Sequence, residues 1–174
     1  PPWLMPYLVP RSNMQRSKKM RSSGYATDPD IRELVAFRTA GQDFCIDILS
    51  VREIRGWSRP ALLPHAPTYV QGVINLRGAV VPILDLARRL GLEPIENTDR
   101  NVIIVAAIQS RIFGLLVEAV TDILSVPATG VQPTPDLASD ITRSMLKGVV
   151  VQEERLIRLL DVGQLLPQFE DAAA

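Results

Sequence analysis

Histidine and cysteine each occur once in this 174-residue chain, as His65 and Cys45. One of each cannot supply the ligand set of an ordinary zinc site, and a lone cysteine excludes an internal disulfide. Cys45 lies in an apolar run with no histidine or basic cluster beside it, so it reads as a small buried strand residue rather than a reactive thiol. This usage suits a reducing cytoplasm. His65, between Pro64 and Ala66, reads as a loop residue. Serine catalysis would need it beside a serine on a strained elbow, and no Gly-x-Ser-x-Gly occurs. The glycine patterns of phosphate loops and dinucleotide sites are also missing. Glu118 and Asp122 share a segment, but no feature pairs them as acid and base. No catalytic residue, metal ligand or cofactor is therefore assigned, and a binding protein is expected rather than an enzyme.

Aromatic residues number only nine and do not interleave with basic ones, which argues against a stacking surface for single-stranded nucleic acid. Net charge is zero but unevenly placed. Residues 1–25 hold five basic residues (Arg11, Arg16, Lys18, Lys19, Arg21) and no acid, which leaves 14 basic against 19 acidic groups in the rest. A body of that sign repels phosphate backbones, so a nucleic-acid partner is not expected. No apolar run reaches the ~18 residues of a membrane span, and no direct membrane insertion is expected. Residues 1–30 open with a proline-broken apolar stretch followed by basic residues, the reverse of a secretory signal. They read as a disordered N-terminal extension or a scar, the functional alternative being a basic tether to a membrane surface or an acidic partner. Residues 169–174 read as a short tail.

What the chain does contain is a repeat. Phe44 to Ile54 aligns without a gap against Phe113 to Ile123 at an offset of 69, and Gly72 to Leu86 aligns against Gly148 to Val162 at an offset of 76. In each copy an apolar, β-branched run (Leu34–Thr39; Asn101–Ile108) precedes a turn and a returning strand. A second hairpin follows, turning at Arg77-Gly78 in one copy and Glu153-Glu154 in the other. Pro82 cannot donate to a ladder and is expected at an edge or bulge. Asp85 and Asp161, equivalent in the repeat, are expected to cap short helices that stop at Gly91 and Pro167. The connectors Arg59–Gln71 and Pro127–Lys147 are each expected to end in a helical turn. The class is thus mainly β: two small barrels packed together, with short helices in the connections. They span about 33–90 and about 100–166 within one domain of residues 31–168, and the repeat leaves open whether these spans interleave.

Three segments carry a family resemblance: Asp47 to Gly56, Gly72 to Leu86, and Val117 to Leu124. The most specific is Asn75-Leu76-Arg77-Gly78, continuing to Pro82-Ile83 and Asp85-Leu86. From about Glu33 to Pro167 the chain resembles the CheW family of bacterial chemotaxis coupling proteins. Ala119 stands where that family usually has glycine. The resemblance implies two five-stranded SH3-like barrels, no catalysis, and a cytoplasmic adaptor recruited to membrane receptor arrays. Its implied partners are the signalling tip of a methyl-accepting chemoreceptor and the regulatory domain of a CheA-type histidine kinase. Carried onto this sequence, receptor contacts fall on Val51 and Glu53 of the first copy and on Val120 and Ile123 of the second. Arg77 and Gly78 mark the receptor–kinase junction, with Arg77 expected to pair with Glu53. For Val51, Val120 and Ile123 the competing reading is core packing. Similar domains occur inside CheA and in CheV, but only seven residues follow Pro167 and no ATP-binding motif occurs. A stand-alone adaptor is therefore preferred to a fragment of a larger kinase or CheV-type protein.

Overall fold

The computed structural model describes Pro6, residues 30–135 and residues 139–166. The expectations for residues 1–29 and for the 169–174 tail fall outside the described residues. The first copy runs β1 (Ile31–Thr39), β2 (Gln42–Asp47), a 3-10 turn (Ile48–Ser50), β3 (Val51–Gly56), β4 (Val70–Leu76), β5 (Ala79–Asp85) and α1 (Leu86–Arg89). The second runs β6 (Val102–Ile108), β7 (Arg111–Val117), β8 (Ala119–Pro127), a 3-10 turn (Ala128–Gly130) and β9 (Val131–Gln132). It continues with α2 (Asp140–Ser144), β10 (Leu146–Gln152), β11 (Arg155–Leu160) and α3 (Val162–Leu165). Left-handed backbone makes the hairpins tight: Ala40 and Gly41 have φ of 49° and 70°, Arg77 and Gly78 48° and 85°, Glu153 and Glu154 49° and 63°. Two such residues in succession match the twist of antiparallel strands.

Copy and sheet do not coincide. One sheet has the order β8-β1-β2-β11-β10-β9 and the other β3-β6-β7-β5-β4. Each copy's leading hairpin is inserted into the sheet formed by the rest of the other copy, so the spans 33–90 and 100–166 interleave. Registers repeat as well: Phe37 faces Val120 as Ala106 faces Val51, and Cys45 faces Leu159 as Gly114 faces Ile83. The six-strand count of the first sheet includes β9, which is only two residues long and pairs with Val149 and Val150.

Three apolar clusters hold this arrangement together. Leu34, Cys45, Leu124, Val150 and Ile157 lie in the interior of the first barrel, and Leu76, Val81, Ile83, Ile103 and Leu116 in that of the second. The largest cluster draws on both sheets and all three helical turns or their flanks, including Phe37, Phe44, Phe113, Leu90, Met145 and Leu165. Arg89 ties the two copies' helices: it donates from Nε to the Leu165 carbonyl and from Nη2 to the Gln164 carbonyl, both at 3.0 Å, and lies 4.7 Å over the Tyr69 ring.

Both aspartate caps form. Asp85 Oδ1 accepts from the Arg88 N–H at 3.2 Å, and Asp161 Oδ1 from the Gly163 N–H at 3.1 Å. Two local expectations are corrected. The second connector ends in α2, but the first ends in a non-helical turn closed by Val70 N–H to Pro67 carbonyl at 2.9 Å; its prolines withhold the donors a helix needs. Pro82 lies in β5, which has β4 on one side and β7 on the other. The β7 ladder begins only at Ile83, so the missing donor falls one residue before that pairing starts.

Candidate partner-binding edges

β3 and β8, equivalent in the repeat, are each a terminal strand of their sheet, β4 and β9 closing the opposite ends. A ladder shift separates Val51 from Glu53 opposite β6, and the matching shift opposite β8 separates Ala36 from Phe37. Such a bulge breaks the inward–outward alternation of a strand and re-aims side chains. Strict alternation would put Val51 and Glu53 on one face. Instead Val51 is 7% exposed and Val120 is fully buried, both in the central cluster, while Glu53 remains part-exposed. Ile123 is half-buried against the same cluster. The core packing weighed for Val51 and Val120 is what the structure has: the bulges turn both inward, where they form the floor beneath each edge. Ala119, which opens β8, has ordinary strand backbone and pairs with Arg38.

The expected pair between Arg77 and Glu53 is formed, Arg77 Nη2 donating to Oε2 of Glu53. Arg77 is aimed by its turn: the Asn75 side-chain oxygen accepts the Gly78 N–H at 2.9 Å, which fixes the hairpin tip. Sequence reasoning missed Arg55, whose Nη1 donates to the other Glu53 oxygen at 3.1 Å. Its signal was the two-residue spacing from Glu53, which keeps both side chains on one face of β3. The second edge is chemically different. Asp122 Oδ1 accepts the N–H of its neighbour Ile123 at 2.8 Å, Leu124 occupies the place of Arg55, and Glu153 that of Arg77.

Large apolar side chains are exposed at the second hairpin of each copy, Val80 (73%) on one and its equivalent Leu156 (41%) on the other. A cleft of about 500 Å3 between α1 and β10–β11 is lined by Leu92, Leu146, Val149 and Leu156, with Arg158 the only charged residue among the described ones. Glu118 and Asp122 do not reach it. Burial pushes the Cys45 thiol up to about 12, so it stays protonated at neutral pH. Among the described residues no helix is long and apolar enough to cross a membrane, and no three His, Cys, Asp or Glu side chains gather as metal ligands would.

With twin barrels and paired edges in view, the family comparison is decisive: the CheW-like domain matches residues 33–170. The chain belongs to the CheW family. The chemotaxis protein CheW of Rhizobium meliloti (strain 1021) is 54% identical over 143 residues, covering 82% of this chain and 92% of that protein. The probable chemotaxis protein CheW of Rhizobium etli is 50% identical over the same lengths. Among solved structures, the scaffolding protein TtCheW of Thermoanaerobacter tengcongensis superposes with a TM-score of 0.73 at 24% identity, over 83% of this chain and 93% of that one, and shares its fold. The CheW-family match takes in both edges, both second hairpins and the Glu53–Arg77 pair.

Proposed function

We propose that this chain is a non-catalytic adaptor that couples chemoreceptors to a CheA-type histidine kinase in chemotaxis or a related signalling array. The observation that carries the reading is the 54% identity to a chemotaxis protein CheW across 82% of this chain and 92% of that protein. The fold supports it, because two terminal strands over one shared apolar floor suit a helical partner lying across them. Glu53 and Ile123 then meet the receptor tip, and Val51 and Val120 shape the floor beneath it. The Arg77-Gly78 tip, with exposed Val80 beside it, stands at the receptor–kinase junction. The adaptor works in the cytoplasm and reaches the membrane through its receptors, with no nucleic acid, no cofactor and no insertion of its own.

The test is kinase autophosphorylation in a mixture of receptor signalling fragments and the cognate CheA-type kinase, run without the protein, with it, and with Glu53→Lys. The reading expects strong stimulation by the wild type and its loss in the variant. A folded wild type that fails to stimulate a kinase active on its own would overturn it.

A further inference from the structure

We propose that Arg55 and Arg77, held apart by Glu53, form a fork that binds a carboxylate side chain of the receptor's helical tip; the inference rests on the adaptor reading above. One carboxylate holds two guanidinium groups, one on each oxygen. The carboxylate is the inner member: Glu53 is 19% exposed, against 42% for Arg55 and 74% for Arg77. The outward side of the cluster is thus cationic, on a body whose residues beyond position 25 carry an excess of acids. Each guanidinium has five donors in a rigid plane, and each commits one nitrogen to Glu53. The other donors are oriented but not consumed, which is the arrangement that accepts a carboxylate with little further ordering.

The repeat strengthens the case. At the same places on the second edge stand Asp122, the 4%-exposed Leu124, and Glu153, so that edge has neither arginine. Two edges equivalent in backbone are therefore opposite in charge. A near-symmetric pair of edges alone would accept a helical hairpin in either direction. A cationic fork on one side only gives it a direction, because the reversed hairpin would bring its acid to Asp122. Orientation by charge complementarity and like-charge exclusion is how interfaces obtain specificity beyond affinity.

The test measures binding of a soluble receptor signalling fragment to the wild type, Arg55→Ala, Arg55→Gln and Arg77→Ala at low and high salt, with melting temperatures as the fold control. Each arginine substitution is expected to weaken binding about three- to tenfold at low salt, Arg55→Gln as much as Arg55→Ala, because the charge is what acts. The difference should shrink at high salt, where exposed charges are screened. Arg55→Glu should weaken binding further and be rescued by changing one fragment acid to lysine. A wild type that binds while folded Arg55→Ala binds equally at low salt overturns the fork and leaves the adaptor reading standing. A wild type that does not bind the fragment at all overturns both.

Discussion

Gly72 and Gly148 occupy the same place in the two copies, and each lets a backbone pass where no side chain fits. A Cβ on Gly72 would run into the carbonyl oxygen of Ala61, which bridges to Val73, and a Cβ on Gly148 would lie 2.5 Å from the carbonyl oxygen of Gln132 in β9. Gly72 also has φ of +146°, a conformation other residues rarely take. Gly41, by contrast, has φ of +70° and open space around its Cβ position. Alanine at Gly72 is thus expected to lower stability by about 2–4 kcal/mol and at Gly148 by about 1–3 kcal/mol, against about 1 kcal/mol at Gly41. Urea denaturation checks the ranking, and equal losses at all three positions would refute the close-approach explanation. Cys45 gives a second prediction at this scale. Its thiol is raised from 9.0 to about 12 by burial, so the native state holds the proton that the unfolded chain releases first. Stability should be unaffected below pH 9 and fall above it by up to about 1.4 kcal/mol per unit until the native thiol itself ionises. At pH 8 a thiol reagent should label the unfolded protein and spare the folded one.

At the scale of elements, the strands of the four hairpins, their turns and the two aspartate caps were legible from local pattern, because turn chemistry and capping act over a few residues, whereas β3, β8 and β9, which no tight turn marks, were not read as strands. Two further things were not legible. Strand partners were illegible because β1–β2 and β6–β7 carry the same apolar pattern, and that pattern is satisfied equally by either sheet. Whether Val51 and Val120 turn inward or outward stayed open in the sequence, because a one-residue ladder shift leaves no mark on the alternation it overrides. The exchange of hairpins has a direct consequence. If the chain is cut within residues 93–99, each half keeps its strands but loses the partners of its leading hairpin. β1–β2 needs β8 and β11, and β6–β7 needs β3 and β5. Fragments 30–92 and 93–166 are therefore expected to be largely unfolded alone and to regain β structure when mixed. Circular dichroism of each fragment and of the mixture decides the matter. Folding of either fragment in isolation would mean that its barrel closes without the exchanged hairpin.

Across the whole molecule, stability and recognition are carried by different atoms. The three clusters that hold the barrels together are buried, whereas the Arg77–Glu53–Arg55 group is at a terminal strand and a hairpin tip. An ion pair as exposed as that of Arg77 contributes only ~0–1 kcal/mol to folding once solvent screening is counted. For a domain of this size that corresponds to a shift of at most about 2–4 °C in melting temperature. Reversing the charge in Arg77→Glu, however, places an acid beside Glu53 and removes half of the cationic outer face. The variant should therefore melt within about 4 °C of the wild type yet lose most of its ability to stimulate receptor-coupled kinase. Calorimetry and the autophosphorylation assay on one preparation separate the two effects. If the melting temperature falls far more than this, Arg77 is part of what holds the second barrel together, and any loss of coupling would follow from unfolding. If the variant is stable and still stimulates fully, the Arg77 tip is solvated turn and the junction lies on another face.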